Sequence, residues 1–271
     1  MRRIVTTLAL ITTLALSATA QNIHVYAHRG SWSKNASGEF IIPENSPAAV
    51  AEAARRGYEG IECDVHLTKD GKMVILHDAT INRTMRNAGD YSKIEKEVRL
   101  DQLTFEQLRR DYVLESEDPA LRTPIPTLEE LLSECRKHGI VPMLHSAVWE
   151  SYKVAQEMFA DDWICFTSEL ETLMKVREFS GCTILYGINS GSAEENIRDL
   201  KKIGGHCGIS TMNYDLYTPA FCQVITQAGY EVQASIFPFD QEKTAIANGI
   251  TFLLTDRILP SKKWKKIKTR H

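Results

Sequence analysis

Residues 60–78 read GIECDVHLTKDGKMVILHD, and this segment combines a strand pattern with a cluster of ionisable groups. It alternates at period two, so Glu62, Asp64 and His66 share one face and apolar side chains share the other. A turn over residues 69–71 and a short apolar run then lead to His77. Burying carboxylates is costly unless their face lines a cavity that holds a cation or a charged ligand. We interpret the segment as the floor of a metal-assisted active site. The alternative is an edge hairpin with a solvated polar face.

A strand–helix rhythm extends in both directions from this segment. Upstream, a short apolar strand is followed by a helix that Ser46 and Pro47 open as cap and first residue. The predicted strands are near-continuous apolar runs, as buried parallel strands are. Eight such units in about 250 residues favour a TIM (β/α)8 barrel, an α/β fold, over an open sheet. The strands are predicted to begin at Ile23 and Ile61 and to occupy residues 141–144, 163–166, 182–188, 206–212, 231–236 and 251–254.

Residues 79–123 interrupt the rhythm directly after the second strand and its short extension. The stretch is charged and contains only a weak helix pattern near residues 105–110. It is long for a plain loop, so we expect an inserted segment that covers one end of the sheet. The alternative is a surface elaboration with no catalytic role.

The first twenty residues differ in composition from the rest. Arg2 and Arg3 precede a short apolar run, and small residues follow up to Ala20. This order is typical of a secretory signal peptide, with cleavage expected before Gln21. We therefore expect residues 21–271 to form one exported domain, either periplasmic or secreted. The six cysteines lie mostly in strand-like runs, so we expect mostly free, buried thiols, with one disulfide bridge still possible.

Polar side chains collect where the predicted strands end. In a TIM barrel these carboxyl-terminal strand ends meet at one mouth, where active sites are built. Glu62 and Asp64 are hard oxygen ligands that suit Mg²⁺ or Ca²⁺. Arg29 can pair with an anionic oxygen, and His28 and His77 can exchange protons near neutral pH. A cation, a guanidinium group and two imidazoles form the means to cleave a phosphate ester. The net charge of −3 gives no argument for nucleic acid binding.

An ordered set of short motifs resembles the glycerophosphodiester phosphodiesterases of the phospholipase C-like phosphodiesterase superfamily. The motifs are HRG at residues 28–30, PEN at 43–45, ECDVHLTKDG at 62–71, VILHD at 74–78 and TD at 255–256. The resemblance implies a TIM barrel with a segment inserted after the second strand. It also implies divalent-cation-dependent hydrolysis of a small glycerophosphodiester to glycerol phosphate and an alcohol.

Residue roles follow from the resemblance by motif match. His28 and His77 correspond to the acid–base pair, Arg29 to the phosphate ligand, and Glu62 and Asp64 to metal ligands. Three further residues are taken as supporting the site: Glu44 of the PEN motif, Asp78 beside His77, and His66 on the face of Glu62 and Asp64.

Two positions depart from the family pattern. The third strand of the family ends in Glu-x-Lys, which supplies a metal ligand and a phosphate contact. Here His145 and Ala147 stand at those places. An imidazole in place of a carboxylate favours transition metals over Mg²⁺ and Ca²⁺. The seventh strand, residues 232–236, also lacks the tryptophan often found there, so we expect a differently shaped substrate pocket.

These departures leave alternatives open. One is a non-catalytic or altered-specificity barrel that binds phosphodiesters without normal turnover. Another is a phospholipase D-like enzyme that removes the headgroup of an intact lipid, for which exposed aromatic loop residues such as Trp32 and Phe40 are the candidates for membrane contact. The sequence does not decide the headgroup, the metal or the oligomeric state.

Overall fold

The computed structural model describes residues 23–236 and 238–260. The predicted signal peptide therefore lies outside the described residues. The strands, in chain order, are β1 (His24–Ala27), β2 (Ser33–Lys34), β3 (Phe40–Ile42), β4 (Gly60–Leu67), β5 (Met73–Ile75), β6 (Met85–Asn87), β7 (Tyr112–Leu114), β8 (Val141–Ser146), β9 (Ile164–Thr167), β10 (Thr183–Gly187), β11 (Cys207–Thr211), β12 (Glu231–Ser235) and β13 (Phe252–Thr255).

The helices follow the strands in the order that the sequence predicts. They are α1 (Pro47–Arg56), α2 (Phe105–Asp111), α3 (Leu128–His138), α4 (Trp149–Phe159), α5 (Leu170–Arg177), α6 (Ala193–Ile203), α7 (Pro219–Gln227) and α8 (Phe239–Ala247). In the described part of the chain, no helix is both long and apolar enough to cross a bilayer.

Eight parallel strands close into a barrel. Their order is β1-β13-β12-β11-β10-β9-β8-β4, and β4 pairs again with β1. The strand β5 adds to β4 in antiparallel fashion, so the predicted hairpin extends the second barrel strand. The predicted TIM barrel with an insertion after its second strand is confirmed. The third barrel strand, β8, continues to Ser146, so His145 lies within the strand and not at its end.

Local capping explains where several helices begin and end. Ser46 accepts a hydrogen bond from the backbone of Ala49, and Pro47 follows it as the first helical residue. Thr127 and Ser192 open α3 and α6 with capping boxes. Gly139 ends α3 in the left-handed conformation that a residue without Cβ adopts easily. These signals place the helices between the strands and keep the barrel regular.

The barrel has two apolar layers. Strand side chains that point outward pack against the helices, and those that point inward fill the barrel with Tyr26, Met143, Ile164, Leu185, Phe252 and Leu254. A Cβ on Gly60 would lie 2.0 Å from the ring of Tyr26, so only glycine fits at this crowded point. The packed interior closes the lower part of the barrel, which leaves the carboxyl-terminal end as the place for a site. All six cysteines are buried and free, as expected.

The inserted segment between β5 and α3 has an apolar cluster of its own. The antiparallel strands β6 and β7 and the short helix α2 surround it. The cluster consists of Val74, Leu76, Ile81, Met85, Leu100, Leu108, Leu114 and Ile125, so it joins the insertion to β5. Burial of these side chains holds the insertion against the barrel.

Candidate active site at the mouth of the barrel

The carboxyl ends of neighbouring barrel strands bring the predicted residues together. His28 and Arg29 follow β1, and Glu62 and Asp64 lie in β4 with their side chains at the barrel mouth. The register pairs Asp64 with His145 of the adjacent strand β8. His77 and Asp78 follow β5, which pairs with the last residues of β4.

Glu62, Asp64 and His145 form a compact candidate metal-binding cluster, with one ligand atom from each within 4.8 Å of the others. His145 Nδ1 lies 3.3 Å from Asp64 Oδ1 and 3.9 Å from Glu62 Oε1. Glu62 is only 2% exposed, whereas half of the His145 side chain is exposed. The cluster is therefore accessible from the barrel mouth on the side of His145. The His145 ring also lies on the ring of Phe166, at 4.8 Å between centroids.

Donors from two loops hold the carboxylates in place. The backbone N–H of Arg29 donates to Glu62 Oε2 at 3.2 Å, and Asn45 Nδ2 donates to Asp64 Oδ2 at 3.1 Å. Arg29 and Asn45 both have positive φ, at 56° and 52°, an uncommon conformation for residues other than glycine. Backbone strain of this kind persists where the surrounding structure fixes it, often at functional sites.

The two buried carboxylates have opposite pKa shifts. Burial, followed by the negative charge of Asp64, raises the pKa of Glu62 well above its usual value. Burial alone would also raise the pKa of Asp64, but hydrogen bonds from His145 and Asn45 and the charge of His77 lower it. Without a cation, a proton therefore resides more readily on Glu62 than on Asp64.

His28 is oriented by a residue from the other end of the chain. Its Nδ1 donates to Asp256 Oδ1 at 2.8 Å, and its Nε2 lies 4.0 Å from Glu62 Oε2. Trp32 Nε1 donates to the same oxygen of Asp256 at 3.2 Å. An ionised carboxylate can only accept hydrogen bonds, so the proton of a neutral His28 sits on Nδ1. The Nε2 atom is then free to face the cluster.

His77 has a similar partner close in sequence. Its Nδ1 donates to Asp78 Oδ1 at 2.6 Å, and its carbonyl oxygen lies 3.2 Å from His66 Nε2. His66 therefore contacts the backbone of His77 itself and lies outside the metal-binding cluster. Arg29 Nη1 donates to Glu44 Oε1 at 3.1 Å, which places the predicted supporting residue Glu44 beside the predicted phosphate ligand.

The donor set fits a divalent cation. Two adjacent carboxylates supply hard oxygen atoms, and His145 supplies a nitrogen that transition metals accept readily. The carboxylates at the mouth also outnumber the guanidinium groups of Arg29 and Arg83, so a bound cation would offset negative charge. These carboxylates belong to Glu44, Glu62, Asp64, Asp78 and Asp256.

Sequence reasoning assigned no role to four residues that shape the site. Asn45 and Asp256 lie in the PEN and TD motifs, and the sequence suggests only a membrane contact for Trp32. Arg83 carries no motif, yet it donates to both Glu44 and Asp78. The predicted closure of the barrel could have identified Asp256. A closed barrel places the last strand beside the first, so Asp256 after the last strand lies near His28 after the first.

The closed barrel has the fold of solved phosphodiesterases. A model of the glycerophosphoryl diester phosphodiesterase family matches residues 28–184, and the chain belongs to this family.

Named relatives and solved structures agree with this assignment. The chain is 32% identical over 157 residues to glycerophosphodiester phosphodiesterase 1 of Mus musculus, covering 53% of this chain and 42% of that protein. It is 49% identical over 65 residues to a glycerophosphodiester phosphodiesterase of Caldanaerobacter subterraneus, 24% of each chain. The fold resembles an Oleispira antarctica phosphodiesterase solved with its product sn-glycerol-3-phosphate, with a TM-score of 0.65 and 21% identity over 86% of this chain and 92% of that one. The chain thus matches less than half the length of the Mus musculus and Caldanaerobacter subterraneus relatives.

Proposed function

We propose that this protein is an exported, metal-dependent phosphodiesterase that hydrolyses glycerophosphodiesters to glycerol phosphate and an alcohol. The observation that carries the proposal is the convergence of the Glu62–Asp64–His145 cluster with His28, Arg29 and His77 at one barrel mouth. Membership of the family and the product bound to the Oleispira antarctica phosphodiesterase support this substrate class. Export rests on the signal-like composition of residues 1–20.

The phosphate group would lie between the cluster and Arg29. A divalent cation held by Glu62, Asp64 and His145 would polarise a phosphoryl oxygen and offset its negative charge. Arg29 has its Nε 3.7 Å from Asp64 Oδ2 and one Nη on Glu44, so the guanidinium group lies next to the cluster. A guanidinium group in this place can bind a second phosphate oxygen.

Two imidazoles would move the protons of the reaction. His28 and His77 each use Nδ1 to donate to an aspartate, which leaves both Nε2 atoms for the substrate. One of them would take the proton of the attacking oxygen, and the other would give a proton to the leaving alcohol. The attacking oxygen belongs either to water or to a neighbouring substrate hydroxyl, and both routes use the same pair.

The third strand distinguishes this site from the family pattern. His145 supplies a neutral nitrogen in place of a carboxylate, and Ala147 has no cationic group for phosphate. We therefore propose that Mn²⁺ or Zn²⁺ supports the reaction at lower concentration than Mg²⁺ or Ca²⁺ does.

A metal-by-substrate turnover screen tests the proposed function. The mature protein is offered glycerophosphocholine, glycerophosphoethanolamine, glycerophosphoinositol and a lysophospholipid, each with Mg²⁺, Ca²⁺, Mn²⁺ and Zn²⁺. Release of glycerol phosphate from at least one glycerophosphodiester supports the proposal, and Asp64→Asn serves as the inactive control. Turnover of the lysophospholipid alone would favour a lipid headgroup hydrolase. Ligand binding with no turnover under any pairing would favour a non-catalytic barrel.

A further inference from the structure

Arg83 connects the inserted segment to the mouth of the barrel. It lies just before β6, and its side chain is 37% exposed. Its guanidinium group donates to two carboxylates at once: to Glu44 through Nη1 and Nη2, at 2.8 and 2.7 Å, and to Asp78 through Nε and Nη2, at 2.6 and 3.2 Å. Through these hydrogen bonds the insertion contacts Asp78, the partner of His77.

Arg83 fixes the orientation of Asp78, the carboxylate that pairs with His77. Asp78 Oδ1 accepts from His77 Nδ1 at 2.6 Å, while Arg83 holds both oxygens of Asp78. Burial opposes ionisation of Asp78, yet hydrogen bonds from Arg83 and His77 lower its pKa to about 2. An ionised Asp78 in a fixed orientation keeps the proton of a neutral His77 on Nδ1 and leaves Nε2 free.

Arg83 also contacts the buried carboxylate of Glu44. Glu44 is buried, and Arg83 donates to both of its oxygens, while Arg29 donates to one at 3.1 Å. A buried carboxylate with fewer partners would draw the remaining guanidinium group toward itself. Arg83 therefore leaves Arg29 with a single hydrogen bond to Glu44, through Nη1. The Nε of Arg29 is buried beside Asp64, so Nη2 is the nitrogen that stays available for an anion.

Resting on the proposed function, we propose that Arg83 is a positioning residue through which the insertion orients His77 and frees Arg29. The planar fork of arginine is needed because two carboxylates must be held in fixed directions at the same time. A lysine at this position would neutralise one of them but would not orient both. The insertion is therefore part of the catalytic arrangement and not a surface elaboration.

The first test needs no turnover. Histidine-selective ¹⁵N NMR of the mature protein reports which ring nitrogen of each histidine carries a proton, and His77→Gln assigns the His77 signal. We expect His77 to be an Nδ1–H tautomer in the wild type and to lose this preference in Arg83→Ala, with the His28 signal unchanged. Millimolar guanidinium should restore the wild-type His77 signal in Arg83→Ala. The matched control is Arg99→Ala, since Arg99 lies in the same insertion and pairs with Asp101.

The second test uses turnover. We expect Arg83→Ala to lower kcat by about 10- to 100-fold, as misplacement of a catalytic group by about 1 Å can do. Arg83→Lys should recover little of this loss, and guanidinium should recover part of it. Because Arg83 acts through Asp78, the double variant Arg83→Ala/Asp78→Asn should be no slower than the slower single variant. A wild type without turnover would contradict the proposed function, whereas an unchanged His77 signal in Arg83→Ala would overturn the role of Arg83.

Discussion

The mouth of the barrel contains two histidine–aspartate pairs that are built in different ways. His28 and Asp256 are 228 residues apart in sequence and meet because β1 and β13 are neighbours in the closed barrel. His77 and Asp78 are adjacent in a loop after β5. The first pair is nearly buried, and a neutral indole supports its carboxylate. The second pair is more exposed, and a guanidinium group supports its carboxylate.

The barrel strands fix the geometry of the His28–Asp256 pair, whereas the insertion fixes the geometry of the His77–Asp78 pair. Backbone pairing of Ala27 with Thr255 sets the spacing of the His28 pair. The His77 pair depends on Arg83, so its geometry can vary with the inserted segment while the barrel stays the same. We infer that the first pair is the rigid half of the proposed acid–base system and that the second is the half that a change in the insertion can alter.

Removal of either imidazole has the largest expected effect. His28→Ala and His77→Ala should each lower kcat by about 10²–10⁴-fold, because each removes a group that we propose to transfer a proton in the reaction. Steady-state kinetics with the best substrate of the screen measures the effect. His138→Ala is the matched control, since His138 lies on α3 and pairs with Glu134. Full activity in either active-site variant would remove that histidine from the acid–base pair.

The two aspartates should differ in importance. Asp256→Asn removes a charge beside a nearly buried imidazole, where water screens poorly, so we expect a loss in kcat of roughly a hundredfold. Asp78→Asn affects a more exposed imidazole that water can solvate, so we expect a loss of about tenfold. Comparison of kcat for the two variants checks the order. A larger loss in Asp78→Asn would contradict the description of the His28 pair as the rigid half.

Substitution of His145 should change the affinity for the cation and leave both histidine–aspartate pairs in place. His145→Glu adds a carboxylate to the candidate cluster, so the affinity for Ca²⁺ or Mg²⁺ should rise by about tenfold or more. His145→Gln is the control, because it offers an oxygen without the charge. Isothermal titration calorimetry measures both variants. If His145→Glu left the affinity unchanged, His145 would not be a metal ligand.

The smallest expected loss of kcat follows from substitution of Trp32, whose indole N–H donates to Asp256. Trp32→Phe removes the 3.2 Å hydrogen bond but keeps an aromatic ring beside Phe40. Because Asp256 stays paired with His28, we expect the lost hydrogen bond to cost about 1 kcal/mol, so kcat should fall by about fivefold. Kinetics and thermal unfolding of the same variant measure this. A loss as large as that of Asp256→Asn would mean that Trp32 has a further role at the mouth.

The sequence predicts the barrel and the acidic cluster for clear physical reasons. Period-two alternation places Glu62 and Asp64 on one strand face, and the strand register brings His145 to them. The pairing of His28 with Asp256 requires closure between the two ends of the chain, which local patterns do not encode. Arg83 lies in a stretch without a strong periodic signal, and its contacts depend on how the insertion folds back.

Reconstitution with metal tests the proposed activity most directly. The protein is stripped of cations with a chelator, and hydrolysis of glycerophosphocholine is followed as Mn²⁺ is added back to the wild type and to Asp64→Asn. We expect no hydrolysis by the stripped wild type, saturable recovery with Mn²⁺, and no recovery in Asp64→Asn at the same concentrations. Full hydrolysis by the stripped protein, or equal recovery in both proteins, would contradict a metal-dependent phosphodiesterase centred on Glu62, Asp64 and His145.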